Sequence, residues 1–334
     1  MKKWNKLIHI AMHKIKLSII SILLLYTSNS QKKPNGIPGG MYIKQHILTK
    51  RMIPYEFVRE ADVIWSTRIW RSIDLREKIN HSMYFPFDYY DSFGNWMVDE
   101  EFASLWVILK TYVLNGELYI FSPYNPKAYM ITDGDQLKYP ILPEAGKNYF
   151  SDSTFRNTLF SYLGTIGTEQ TTPLSNINGE DSTIFLNGIT SYVYPARDTT
   201  WIMSKDIIQY HLKEDWFFDK ERSVMDVRII AIAPVIYAKD NQGQITGVKE
   251  LFWLYFPHCR FILNNYAVFN ENNDSQLMSF DDLFWKRRFS STIYKESNVF
   301  DRKIEVYKAG IDALFEAEKI KEEIRTIEHD IWSF

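Results

Sequence analysis

The carboxylates Asp88, Asp91, Asp99, Glu100 and Glu101 crowd into one short stretch beside Tyr89, Tyr90 and Trp96. Paired carboxylates with aromatic platforms are the equipment of a glycosidase, which protonates the glycosidic oxygen with one acid, uses the other as base or nucleophile, and stacks the sugar. A secreted glycan-binding module or glycoside hydrolase is therefore one reading. The preferred one is surface charge at the start of a helix, where acids suit the dipole. His258 and Cys259 adjoin in Pro257-His258-Cys259-Arg260, the residue types of a thiolate–imidazole nucleophile. Read as part of a strand they point to opposite faces, so Cys259 is expected to be a buried, inert thiol. His46, His81, His211, His258 and His329 are dispersed and form no H-E-x-x-H. No G-x-S-x-G elbow and no phosphate-cradling glycine motif occurs. With these signatures missing, no catalytic residue, metal or cofactor is expected.

Binding chemistry is better represented. Asp62-x-x-Trp65-x-x-Arg68 is answered by Asp282-x-x-Trp285-x-x-Arg288, with Ile69 or Phe289 and Ile73 or Ile293 following at equal spacing. On a helix, Trp and Arg three apart share a face, where the guanidinium covers the indole and still reaches an acceptor. These two types dominate interface energetics, so Trp65, Arg68, Trp285 and Arg288 are candidate partner contacts. Core and rim packing is the commoner use of such residues. Met41 and Tyr42 join the candidates as the apolar cluster of an extended arm. The repeated pattern also raises an internal duplication, which the order of the surrounding strands does not support.

The elements that must position these groups follow from patterning. Lys2, Lys3, Lys6, Lys14 and Lys16 precede an apolar run from Leu17 to Tyr26 that ends in small polar residues. This predicts a signal peptide over 1–30, because the run is too short for a spanning helix. The whole chain has 39 basic and 41 acidic residues. Removing residues 1–30 takes away five Lys and no acid, so 34 basic residues face 41 acidic ones and the net charge becomes −7. No nucleic-acid footprint remains. A single cysteine offers no intramolecular disulfide, so the core alone must hold the fold.

Residues 31–52, rich in Pro and Gly, read as an extended arm. A helical N-terminal part spans 53–122: a first helix from Pro54 to Ser72, a second from Asp99 to Val113 ended by Asn115-Gly116, and a short strand from Leu118 to Phe121. A loop-rich connector covers 123–200, and its aromatic and aliphatic residues predict that much of it packs down. An α+β core covers 201–302. It contains a helix from Ser204 to Trp216, a strand from Val224 to Ala238 buried on both faces, a turn at Lys239–Gly243, a returning strand from Val248 to Phe256, and a helix capped by Ser279 that runs to Lys295. Residues 303–334 form an amphipathic C-terminal helix of roughly 40 Å. The fold class is thus α+β, a hairpin-based antiparallel sheet flanked by helices.

Several ordered blocks carry a resemblance. They are Ala61-Asp62-Val63-Ile64-Trp65 through Arg76-Glu77-Lys78-Ile79-Asn80, Lys213-Glu214-Asp215-Trp216-Phe217-Phe218-Asp219, Val227-Arg228-Ile229-Ile230-Ala231-Ile232-Ala233-Pro234, Leu251-Phe252-Trp253-Leu254-Tyr255-Phe256-Pro257, and Ser279-Phe280-Asp281-Asp282-Leu283-Phe284-Trp285-Lys286-Arg287 to Asp301-Arg302. Together they resemble the gliding-motility GldN/PorN family from about Pro54 to Lys303, interrupted by residues 123–200. The resemblance implies a non-enzymatic periplasmic subunit of the type IX secretion system at the inner face of the outer membrane. It implies a large ring shared with a GldK/PorK-like lipoprotein and contact with a GldM/PorM-like motor protein, the membrane being met only through the lipoprotein.

Overall fold

The computed structural model describes residues 52–91, 96–99, 102–128, 132–149, 151–167, 183–186, 189–192, 199–240, 242–269 and 278–332. The expected signal peptide, nearly all of the arm with Met41 and Tyr42, and Glu100 and Glu101 lie outside the described residues. In chain order the principal elements are β1 (Val63–Asp74), α1 (Leu105–Leu114), β2 (Ile120–Phe121), α2 (Ser153–Leu163), β3 (Ile207–Asp219), β4 (Val224–Lys239), β5 (Ile245–Glu250), β6 (Trp253–Tyr255), α3 (Phe256–Leu263), α4 (Phe280–Trp285), β7 (Thr292–Glu296) and α5 (Ile311–Trp332). The strands form one seven-stranded sheet in the order β7-β1-β3-β4-β6-β2, with β5 also on β4. Every pairing is antiparallel, and the fold is α+β as its patterning predicts.

Five local expectations give way. The helix expected from Pro54 to Ser72 is β1, preceded by a single tight turn at Glu60–Asp62. Its Val, Ile, Trp and Thr residues are strand formers. Because both its faces carry large side chains, spacings of three and four arise without a helix. The helix expected after Ser204 is a short turn followed by β3, whose run Lys213-Glu214-Asp215 alternates across the sheet. The return strand is broken at Leu251 and Phe252 into β5 and β6, and Arg260–Leu263 belong to helix α3, not to the sheet. The second helix begins at Leu105, capped by Ser104, while Asp99 accepts from the Phe102 amide one turn earlier. The helix capped by Ser279 stops at Trp285, after which Arg287 takes a left-handed φ of 50° and the chain enters β7. The two Trp–Arg patterns therefore lie on different kinds of element, which removes the duplication.

The two faces of the sheet are built differently. On one, which we call the helical face, Ile73, Tyr210, Leu212, Ile229 and Ile232 join the main core with Leu105, Trp106 and Leu109 of α1 and Phe256, Phe280 and Phe284. Helix α5 covers the neighbouring part of this face, setting Ala317, Ile320 and Ile324 against Ile69, Ile293 and Ile304. The helix runs 22 residues, about 33 Å, shorter than expected because Ile304–Val306 is a separate turn before Gly310, whose φ is 59°. Under α5 sits Glu214, fully buried. Arg287 grips it with two hydrogen bonds (2.9 and 3.1 Å), and Arg71 and the Trp216 indole each donate at 3.0 Å. Two guanidiniums on one carboxylate explain how a charge sits in the core: three donors converge on Oε2 and one on Oε1.

The opposite face carries Arg68, Trp70 and Ser72 of β1 beside Asp215, Lys213 and His211 of β3 and Lys295 of β7. Residues 121–128 and 132–140 cover its middle, with Phe121 and Leu137 packed against Trp70, Ala231, Ala233 and Trp253. Within the described residues, β4 pairs with β6 at Ala231–Ile232 and with β5 from Val235, which leaves Val224–Ile230 without a strand on the outer side. Residues 53–56 run along that edge.

Candidate protein-docking face

Beyond the cover formed by residues 121–128 and 132–140, the sheet opens into a groove of about 610 Å³ lined by Val63, Ser66, Arg68, Asp215, Phe217, Arg228, Ile230 and Ser297. Its floor is a charge ladder dictated by register, because Arg68 and Arg228 are the direct neighbours of Asp215 on either side. Arg68 holds Asp215 in a fork (Nε–Oδ1 2.5 Å, Nη2–Oδ2 2.7 Å), and this bond raises the guanidinium above its ordinary range. Arg228 lies over the Phe217 ring at 5.1 Å and donates through Nη2 to the Glu56 carbonyl. Its Nε is buried without a partner. The groove therefore offers a fixed fork, an aromatic floor and a second guanidinium with donor capacity to spare.

Arg228 also joins the groove to a smaller cleft of about 110 Å³ lined by Tyr55, Val227, Ile229, Phe256, Arg260, Asp281 and Trp285. Tyr55 fills it. Its ring stacks on Trp285 (5.8 Å, 22°), and the Arg260 guanidinium lies over it at 4.4 Å. Burial pushes the Tyr55 hydroxyl up to about 12, against the opposing pull of Arg260. Arg260, itself buried, makes a bidentate pair with Asp281 (2.7 and 3.0 Å) and donates to the Ile53 carbonyl at 2.7 Å. Glu56 adds an ion pair with Arg222. A strap of four residues is thus held by three arginines, two of them through backbone carbonyls, so its sequence is free to place side chains outward. Phe57 is 89% exposed.

The predicted contacts separate. Trp65 and Arg68 lie on opposite faces of β1: Trp65 packs under α5, while Arg68 lines the groove. A helical reading puts them together; a strand cannot. Trp285 is half-exposed and backs Tyr55, and Arg288 is exposed with Nη1 3.8 Å from Met278 Sδ. Arg68 and Trp285 do come within one continuous surface, bridged by Arg228 and Tyr55. The residues that bridge them were missed. Arg228 was visible as a cation inside an apolar strand, whereas Tyr55, Arg260 and Asp281 meet only through the fold.

The catalytic readings are not supported by geometry. Asp88 is buried and both its oxygens are taken, Oδ2 by the Trp96 indole (2.7 Å) and Oδ1 by the Ser204 amide (2.8 Å). Lys110, with Nζ 3.9 Å from Asp88, lies over the Trp96 ring at 4.6 Å. This carboxylate ties Trp96 to α1 and to the entry to β3, and both its oxygens are used in doing so. Cys259 is on a helix, not a strand. Its Sγ sits 3.5 Å from the Tyr255 carbonyl, and burial pushes the thiol up to about 12, so the thiolate nucleophile is unavailable. Among the described residues no group of three or more His, Cys, Asp or Glu is placed to hold a metal, and no helix is long and apolar enough to cross a membrane.

A search of curated proteins finds no match to the chain. The sequence profile of the family described as gliding motility associated protein GldN matches residues 58–333.

Proposed function

The chain belongs to the GldN family, and from that premise we propose that it is a non-catalytic structural subunit of the type IX secretion and gliding machinery. Membership ties it to gliding motility and to a structural family, not to a family of known enzymes. In this reading it works in the periplasm at the inner face of the outer membrane, builds a ring with further copies and a GldK/PorK-like lipoprotein, and meets a GldM/PorM-like motor protein. The match over 58–333 carries the reading, since it takes in every strand of the main sheet and the whole of α5. The groove at Arg68 and the half-exposed Trp285 support it: an interface needs desolvatable Arg and aromatic groups on a rigid frame.

The test is a pull-down from solubilised envelopes with the chain from residue 31 as bait, read by mass spectrometry and by sizing of the eluate. A GldK-like lipoprotein in a very large particle is the expected outcome. A lone monomer that recovers no lipoprotein overturns the assignment.

A further inference from the structure

Between the strands and the cover of residues 121–128 and 132–140 lies a second cavity, about 90 Å³, on the face opposite α5. Two of its walls are buried polar groups with nothing to bond. The Trp70 indole Nε1 has no acceptor and Asp135 Oδ2 has no donor, although Trp70 is 5% and Asp135 8% exposed. The nearest cation to Asp135 Oδ2 is Lys213 Nζ at 3.9 Å, an ion pair too long for a hydrogen bond. That ammonium donates instead to the Asp135 carbonyl at 2.7 Å. An orphaned buried donor and an orphaned buried acceptor are each unfavourable unless something enters the cavity to satisfy them.

The remaining walls define what enters. Lys295 holds its ammonium 4.3 Å from the Trp70 ring, beside the orphaned indole, and spends one of its three donors on Asp301 at 2.7 Å. Lys249 and Lys303 stand on the exposed rim and make no ion pair with any described residue. Glu250 has both oxygens hydrogen-bonded, to His211 Nδ1 (2.8 Å) and the Trp253 indole (2.9 Å), and feels the charge of Lys303 without a direct bond to it. The site thus presents an excess of positive donors, which selects an oxyanion, and one carboxylate oxygen that only accepts, which demands that the oxyanion carry a proton. The volume holds several waters and therefore a tetrahedral group.

We propose that this cavity binds free hydrogen phosphate, which keeps a P–OH at neutral pH, whereas a phosphate monoester has lost most of that proton. Trp70 Nε1, Lys295 and the rim lysines donate to its oxygens, and Asp135 Oδ2 accepts its P–OH hydrogen. Sulfate, which has the same shape and no proton at neutral pH, sets an oxygen against Asp135 and is refused. No bond is made or broken; the ligand is recognised by its proton.

The experiment follows the indole N–H resonance of Trp70 in the ¹⁵N-labelled chain, assigned by its loss in Trp70→Phe, during titration with inorganic phosphate, sulfate or glycerol phosphate. Phosphate is expected to move the signal saturably while sulfate does not. Lys303→Ala, at an exposed site that leaves the fold intact, weakens phosphate roughly tenfold, the size of one charge-assisted hydrogen bond. Asp135→Asn replaces the acceptor with a donor and lets sulfate in. Glycerol phosphate, mostly a dianion without P–OH at pH 7, is expected to bind more weakly than phosphate, and binding as tight as that of phosphate overturns recognition through the proton. No saturable shift with phosphate overturns the proposal in favour of a water-filled cavity. Equal shifts with phosphate and sulfate overturn the role of Asp135 and with it the assignment.

Discussion

The two faces of the central sheet solve the same problem in opposite ways. On the helical face a buried charge, Glu214, has both oxygens hydrogen-bonded by Arg71, Arg287 and Trp216. On the other face, and in the loop that covers it, Trp70 Nε1, Ser72 Oγ, Asp133 Oδ1, Asp135 Oδ2 and Arg228 Nε are buried without partners, with the Tyr210 hydroxyl as the one such group on the helical side. Polar groups satisfied from within hold a fold together, whereas polar groups left open are satisfied by what comes from outside. The helical face is the better satisfied frame, and the proposed phosphate cavity and the groove at Arg68 lie on the other face.

That contrast can be broken at four points. Glu214→Ala leaves two guanidiniums facing each other under α5 and is expected to lower stability by about 3–5 kcal/mol in chemical denaturation; a loss under about 1 kcal/mol refutes the frame. Ile324→Ala, next in size, costs roughly 2–4 kcal/mol by opening a hole beneath α5, measured in the same way. The third comparison sets neighbours on one strand against each other. Trp65→Ala lowers stability by about 2–3 kcal/mol through lost packing. Arg68→Ala changes it by only about 0.5 kcal/mol, since its pair with Asp215 is half-exposed, yet it reduces co-purification of the lipoprotein about tenfold or more. Equal effects of the two variants on assembly erase the distinction between the faces.

The smallest effect is one of pH. Burial works against the Glu250 carboxylate, but the hydrogen bond and charge of His211 outweigh it and hold the group below its ordinary range. A carboxylate depressed in the folded state contributes stability that is full above its unfolded range near 4.3 and is lost as pH falls through the lower folded value. The wild-type chain is therefore expected to lose more stability than Glu250→Gln between about pH 5 and pH 3. Parallel acid profiles remove that pair from the comparison.

What the residues disclosed in advance follows the range of the interactions involved. The buried run of β4, the Asp240-containing turn and the Ser279 cap depend on neighbours in sequence, and each was legible. β1 was not, because large side chains on both its faces mimic a helical spacing. β3 was not, because Lys213-Glu214-Asp215 reads as a solvated charge run until Arg71, Arg287 and Arg68 are folded against it. The docking face was half legible for the same reason. Arg68 and Trp285 stood out by type, while the Tyr55 strap that joins them rests on Arg222, Arg228 and Arg260, all more than 150 residues away in the chain.

The position of that strap has a consequence for how the chain survives before it is assembled. The outer edge of Val224–Ile230 is a row of backbone groups that would template any extended segment offered to it. Residues 53–56 are held beside it by three arginines rather than by a ladder. A chain clipped ahead of Arg59 would keep its core and lose its guard, and such chains would stack edge to edge into insoluble sheets while their cores remained folded.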